Sequence, residues 1–237
     1  MTEILRLLFE FETEYKGDPR FIMGNALRHA LSLQLDASIG IFTDVYRLSL
    51  PRTYQDYFAI RTKKCLLHPH FEFFLDQVRD QRKFRYFFTP QCVTFDVLEP
   101  PENLIELIKS VQLFQLGGAR NYGFGAVELR DSLSIDVDEL ELIERASHLT
   151  FIAPIVHVPS IVEKYRFRQE NILLWNNGKS NSVQVVAPGQ FFRLKPGLNV
   201  QKIAREGILR REKAHKRLLG QFGFGEFMLH NWKKQGG

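Results

Sequence analysis

Cysteine is nearly absent from this 237-residue chain: only Cys65 and Cys92 occur. Neither sits in a CxxC, and no HxxxH spacing accompanies them, so a cysteine-rich zinc site and a disulfide framework are excluded. They read as two reduced thiols of a cytoplasmic protein. Long apolar runs are also missing. Nothing approaches the roughly 20 residues needed to cross a bilayer, so no membrane partner is expected. The opening MTEILRLLFEFE has neither a basic flank nor an unbroken apolar stretch, which argues against a signal peptide. What is present is an ordinary folding composition, 44% hydrophobic and 25% charged, with 21 phenylalanines to fill a core. The net charge of +5 and a pI near 9.2 suit a polyanionic partner without requiring one.

Leu5, Leu7, Phe9 and Phe11 alternate with Arg6, Glu10 and Glu12, the pattern of a half-buried strand. Gly24-Asn25 then opens a helix through Leu31. Strands are expected at Ile39–Leu50, around Phe84–Phe88 and at Val93–Val97. A second helix follows Pro100-Pro101, with Leu104, Ile105, Leu107, Ile108 and Val111 at helical spacing. The glycine-rich run Gly117-Gly118-Ala119-Arg120-Asn121-Tyr122-Gly123-Phe124-Gly125 leads into a strand at Ala126–Leu129. This β-α-β-β-α-β order is ferredoxin-like.

From Asp131 to Glu144 six acidic residues occur without a lysine or arginine, marking a linker over 131–147. Beyond it, strands are expected at Leu149–Val158, Ile172–Trp175, Val183–Val186 and Gln190–Leu194, and a basic helix over Val200–Leu219. Phe222-Gly223-Phe224-Gly225 repeats the pattern of Tyr122-Gly123-Phe124-Gly125, again after a helix and before a strand, which points to an internal repeat. The expected architecture is α+β: a ferredoxin-like unit at 1–130 and a degenerate second unit at 148–237.

The run Gly117–Val127 resembles the glycine-rich loop of the CRISPR-associated RAMP superfamily, and Phe21–Leu31 resembles that superfamily's first-helix segment, where a glycine precedes an arginine-bearing helix. The run differs from nucleotide-binding loops, since a helix precedes it and no Gly-Lys-Ser/Thr follows it. The resemblance implies a CRISPR RNA-binding protein of antiviral defence. A mid-chain position of the clearest loop fits the Cas-five group, including its type III relatives. That group holds the five-prime handle of the guide and nucleates an effector complex with backbone and large subunits. The Cas-six group, which cleaves precursor CRISPR RNA without metal, is the alternative. No cofactor is implied.

Glycines permit positive φ and close approach of a nucleic-acid backbone. Gly117, Gly118, Gly123 and Gly125 are therefore candidate RNA contacts, with Arg120, Asn121 and Tyr122 supplying phosphate, polar and stacking groups. Arg28 is a further candidate. Seven lysines and arginines against two glutamates at 201–217 nominate Arg210, Arg211, Lys216 and Arg217, although a solvated helix face would look the same. Gly223 and Gly225 belong to the second loop. Lys63, Lys64, His68 and His70, with Arg79, Arg82, Lys83 and Arg85, form another basic region. Tyr165-Arg166-Phe167-Arg168 alternates ring and charge. No catalytic residue is required by a binding role. If the chain cuts RNA, His29 is the candidate base, while His157, between two valines, reads as strand packing.

Overall fold

The structure is a computed structural model that describes residues 2–17, 22, 24–34, 41–45, 86–88, 92–163, 166–176, 179–210, 213–214, 217–218 and 223–231. The first unit contains β1 (Glu3–Phe11), β2 (Tyr15–Gly17), α1 (Gly24–Gln34), β3 (Ile41–Val45), β4 (Tyr86–Phe88) and β5 (Cys92–Leu98). It continues with α2 (Leu104–Ser110), β6 (Phe114–Gln115) and β7 (Ala126–Asp136). Its sheet has the order β3-β5-β1-β7-β6, with every pairing antiparallel. With the short edge strand β6 set aside, this is the ferredoxin-like arrangement. The expected strand at 84–88 is present as β4, but it pairs with β2 in a separate ribbon and stays outside the sheet.

The alternation read in β1 assigns its two faces. Leu5, Leu7, Phe9 and Phe11 pack with Leu27, Ala30 and Leu31 of α1 and with Leu104 and Ile108 of α2. Ile4 points the other way, into a second core shared with Leu149, Phe151, Phe192 and Ile203. Apolar burial of this kind contributes about 1.5–3 kcal/mol per large side chain. Arg6 lies on the same side as Ile4 and is fully buried. Its Nε and Nη2 donate to the two carboxylate oxygens of its cross-strand partner Asp96, at 2.6 and 2.5 Å.

The stretch expected as an acidic linker begins as strand. β7 runs on to Asp136 because it pairs with β1 as far as Glu3, so Asp131 and Asp136 belong to a strand. Only the residues after it connect the halves, beginning with a helical turn at Val137–Glu139. Asp138 there is ion-paired with Arg205.

The second half contains β8 (His148–Phe151), the hairpin β9 (Gln169–Asn176) with β10 (Lys179–Val186), and β11 (Phe191–Arg193). It ends with α3 (Val200–Leu209), a small ribbon of β12 (Lys213–Ala214) and β13 (Arg217–Leu218), and β14 (Phe227–His230). Its sheet order, β11-β8-β14, keeps the first, third and fourth strands and the second helix of a ferredoxin-like unit. The β9–β10 hairpin occupies the chain where the first helix and second strand would lie. Gly207 brings α3 close to this sheet: a Cβ there would sit 2.6 Å from the carbonyl oxygen of Phe227.

Two expected elements are shorter than read. The strand at 149–158 ends at Phe151, shortly before Pro154, which has no N–H to offer a ladder. The long basic helix ends at Leu209, where Arg210 turns extended with ψ 128°. Lys213 and Arg217 belong to the β12–β13 ribbon instead.

Candidate nucleic-acid interface at the glycine-rich loop

The loop between β6 and β7 is held by β2 and by the segment linking β1 to it. Gly118 N donates to Lys16 O at 3.0 Å and Gly125 N to Glu14 O at 2.7 Å. Thr13 Oγ1 donates to Gly123 O at 2.9 Å and accepts from Ala126 N at 2.8 Å. Gln115 Nε2 spans the loop from inside, donating to Arg120 O and Phe124 O, each at 3.2 Å. Thr13 and Gln115 thus build the site, and sequence reasoning missed both. Their only signal is proximity to the strand ends that frame the glycines.

The glycines divide by task. Gly117 (φ 82°) and Gly125 (φ 74°) are needed for packing. A Cβ on Gly117 would meet the Tyr15 ring at 2.5 Å, and one on Gly125 would overlap the carbonyl oxygen of Leu116. Gly125 is buried, which corrects its reading as a surface contact. Gly118 and Gly123 are exposed. Gly123 has φ 84° with nothing within 4 Å of a Cβ built on it, so space is open there. Arg120–Tyr122 forms a helical turn between Ala119, itself left-handed at φ 55°, and Gly123. That turn lifts Asn121 and Tyr122 outward, and Tyr122 is 73% exposed.

Helix α1 supplies the facing groups. Burial of Leu27, Ala30 and Leu31 fixes its rotation and leaves Arg28 and His29 half-buried on its flank. Burial lowers the pKa of His29 below its ordinary value, and the positive charges of Arg120 and Arg28 lower it further. The glycine loop and α1 therefore converge: Arg120 from one and Arg28 from the other share an electrostatic neighbourhood with one imidazole. Burial also lowers the pKa of both guanidinium groups, yet arginine stays cationic in proteins. Nη1 of Arg120 is shielded from solvent, and among the described residues no acceptor reaches it. Two cations and a neutral imidazole at the rim of a glycine loop can bind a phosphodiester and take a proton beside it.

The other candidates lie elsewhere or differ from expectation. Gly223 and Gly225 are buried, with Gly225 N donating to Pro154 O at 3.0 Å, so the described residues of the second loop, from Gly223 on, face the interior. Phe224 packs there with Ile172, Leu174 and Val185. Arg210 lies just past α3; its Nη2 donates to His157 O at 3.0 Å and its guanidinium sits 5.9 Å from the Phe227 ring centroid. His157 is exposed and outside any strand, because β8 has already ended. Arg166, Phe167 and Arg168 precede β9 as exposed irregular chain, tied down by paired bonds between Arg168 and Gln190 at 2.7 Å. Arg211, Lys216, Tyr165 and the basic region from Lys63 to Arg85 lie outside the described residues, and for Arg217 only the strand position is described.

Among the described residues no three histidine, cysteine, aspartate or glutamate side chains gather to hold a metal ion. No described helix is long and apolar enough to cross a membrane. No family model matches the sequence, and no curated protein matches it. Among solved structures, the chain is similar to one titled CRISPR associated protein Cas6, at 10% identity and a TM-score of 0.47, over 98% of this chain and all of the other.

Proposed function

We propose that this chain is a CRISPR RNA-binding protein of the RAMP type, and that it seats single-stranded RNA between α1 and the glycine-rich loop. The observation that carries the reading is the loop itself, where Gly118 and Gly123 stand open to solvent and the turn Arg120–Tyr122 projects outward, with the positive charges of Arg120 and Arg28 felt at His29 of α1. Arg28 and Arg120 neutralise phosphates, the open glycines let the RNA backbone approach the main chain, and Asn121 and Tyr122 reach bases. The CRISPR assignment itself rests on the sequence of the loop and of the first helix.

Within that role, the placement of His29 beside the two arginines supports a cleavage reading alongside the holding of a five-prime handle. Burial and two neighbouring cations keep the imidazole neutral at pH 7, the form that a general base requires. His29 would accept the proton of a 2′-hydroxyl as its oxygen attacks the adjacent phosphorus. A 2′,3′-cyclic phosphate forms, the 5′-oxygen of the next nucleotide leaves with a proton from water, and the arginines steady the charge on phosphorus. The handle-holding role, in a complex with backbone and large effector subunits, is supported by the mid-chain position of the loop.

Incubation of the purified chain with a cognate repeat RNA in EDTA tests both levels. Cutting at one site with cyclic-phosphate ends, lost in His29→Ala while binding persists, is the expected result. RNA that is held but uncut by wild type and variant alike would replace cleavage with holding. RNA that is not bound would overturn the RNA reading altogether.

A further inference from the structure

The three-stranded sheet of the second half buries one face under α3 and turns the other outward. Register fixes the outward set: Phe191 lies opposite Thr150, Arg193 opposite His148, Met228 opposite Thr150, and His230 opposite His148. Met228 is buried, but Phe191 is 38% exposed and the Arg193 side chain 62%, so the face opens toward β11. The rings are ordered. His148 stacks on Phe191 with centroids 4.5 Å apart and planes 10° from parallel, and His230 lies 5.9 Å from Phe191. Hydrogen bonds fix both imidazoles, between Ser147 Oγ and His148 Nδ1 at 2.8 Å and between His230 Nε2 and Thr150 Oγ1 at 2.9 Å.

We propose that this outward face, centred on Phe191 with His148, His230 and Arg193, is a nucleobase-stacking platform that holds a stretch of single-stranded RNA outside the glycine-loop seat. The inference rests on the RNA reading above. A platform for bases needs exposed, immobilised π-faces with a cation beside them, because every base has a π-face while its phosphate carries charge. Phe191 and His148 provide the ordered rings, and Arg193 provides the cation. The outward set contains no carboxylate. Among the described residues the acid that reaches it is Glu163, 3.7 Å from Arg193 Nε and partly exposed, which a phosphate can displace. A protein-docking face would instead be a contiguous apolar patch, and here the exposed ring is surrounded by polar and basic groups.

The test is fluorescence anisotropy of a labelled oligouridylate in EDTA with the full chain, its Phe191→Leu and Phe191→Trp variants, and an Arg28→Gln/Arg120→Gln variant. Leucine keeps apolar bulk and removes the π-face; its Kd should rise about fivefold to a hundredfold. Tryptophan should retain the affinity, and its added fluorescence, read against wild type, should be quenched as RNA binds. A folded Phe191→Leu protein with wild-type Kd, or a Phe191→Trp signal unchanged by bound RNA, would overturn the platform while leaving the glycine-loop seat standing. Wild-type protein with no affinity for the RNA would overturn the RNA reading and the platform with it.

Discussion

Arg120, in the helical turn of the glycine loop, acts across the fold on His29 of α1 and depresses the proton affinity of its imidazole. Burial is the larger cause, so the two contributions can be separated. Replacing Arg120 with glutamine should raise the His29 pKa while leaving it below the ordinary value of about 6.5. An NMR titration of the His29 ring proton in both proteins reads this directly. An unmoved pKa would place Arg120 out of electrical reach.

The same imidazole links stability to pH. The folded chain holds His29 neutral more strongly than the unfolded chain does, so the unfolded state takes up the proton first as pH falls. Its share of stability is complete above about pH 6.5 and declines as pH drops toward the depressed folded value. His148 and His230 are lowered too, chiefly by burial, and add losses of the same sign. The urea midpoint should therefore fall between about pH 7.5 and pH 5.5, and His29→Gln should flatten part of that fall. A midpoint equally pH-dependent in the variant would contradict the assignment.

The loop glycines should separate in a stability measurement. Gly125→Ala forces a methyl into the Leu116 carbonyl at a left-handed backbone position and should cost on the order of 3–5 kcal/mol. Gly123→Ala meets open space and should cost only about 1–2 kcal/mol, for the left-handed backbone. Equal losses in thermal or urea unfolding would refute the division between packing and surface glycines.

Arg6 and Asp96 make a second contrast. Asp96→Ala leaves a guanidinium buried without its bidentate carboxylate and should destabilise by about 3–5 kcal/mol, whereas Arg6→Met with Asp96→Leu should cost far less. Urea unfolding of the two proteins decides. A double variant as unstable as Asp96→Ala would mean that the pair contributes more than charge compensation.

Much of this was readable in the residues. The alternation of Leu5, Leu7, Phe9 and Phe11 assigned the core face of β1, but the opposite face, read as polar, is buried at Ile4 and Arg6; helical spacing at Leu104–Ile108 placed α2. The glycine run marked the loop because chain reversals at positive φ demand that residue. Composition misled where charge resembled helix: Arg210–Arg217 continues the pattern of α3, yet the chain turns at Arg210, whose guanidinium is engaged by His157 O and the Phe227 ring. The repeat Phe222–Gly225 looked like a second RNA loop; the burial of Gly223 to Gly225, with Phe224 packed against the β9–β10 hairpin, is a tertiary fact invisible to local pattern. The approach of Arg120 to His29 was equally hidden. Helix α1 and the loop are distant in the chain and meet only because ferredoxin-like strand order sets β7 beside β1.

The most direct measurement is the Kd of the full chain for a single-stranded repeat RNA across a salt series, compared with the Arg28→Gln/Arg120→Gln variant. If these arginines hold phosphates, the variant should bind more weakly at every salt concentration. The slope of log K against log[salt] should flatten by about 0.7 for each phosphate no longer neutralised. A folded variant with the wild-type Kd and the wild-type slope would contradict RNA binding at the α1–glycine-loop seat.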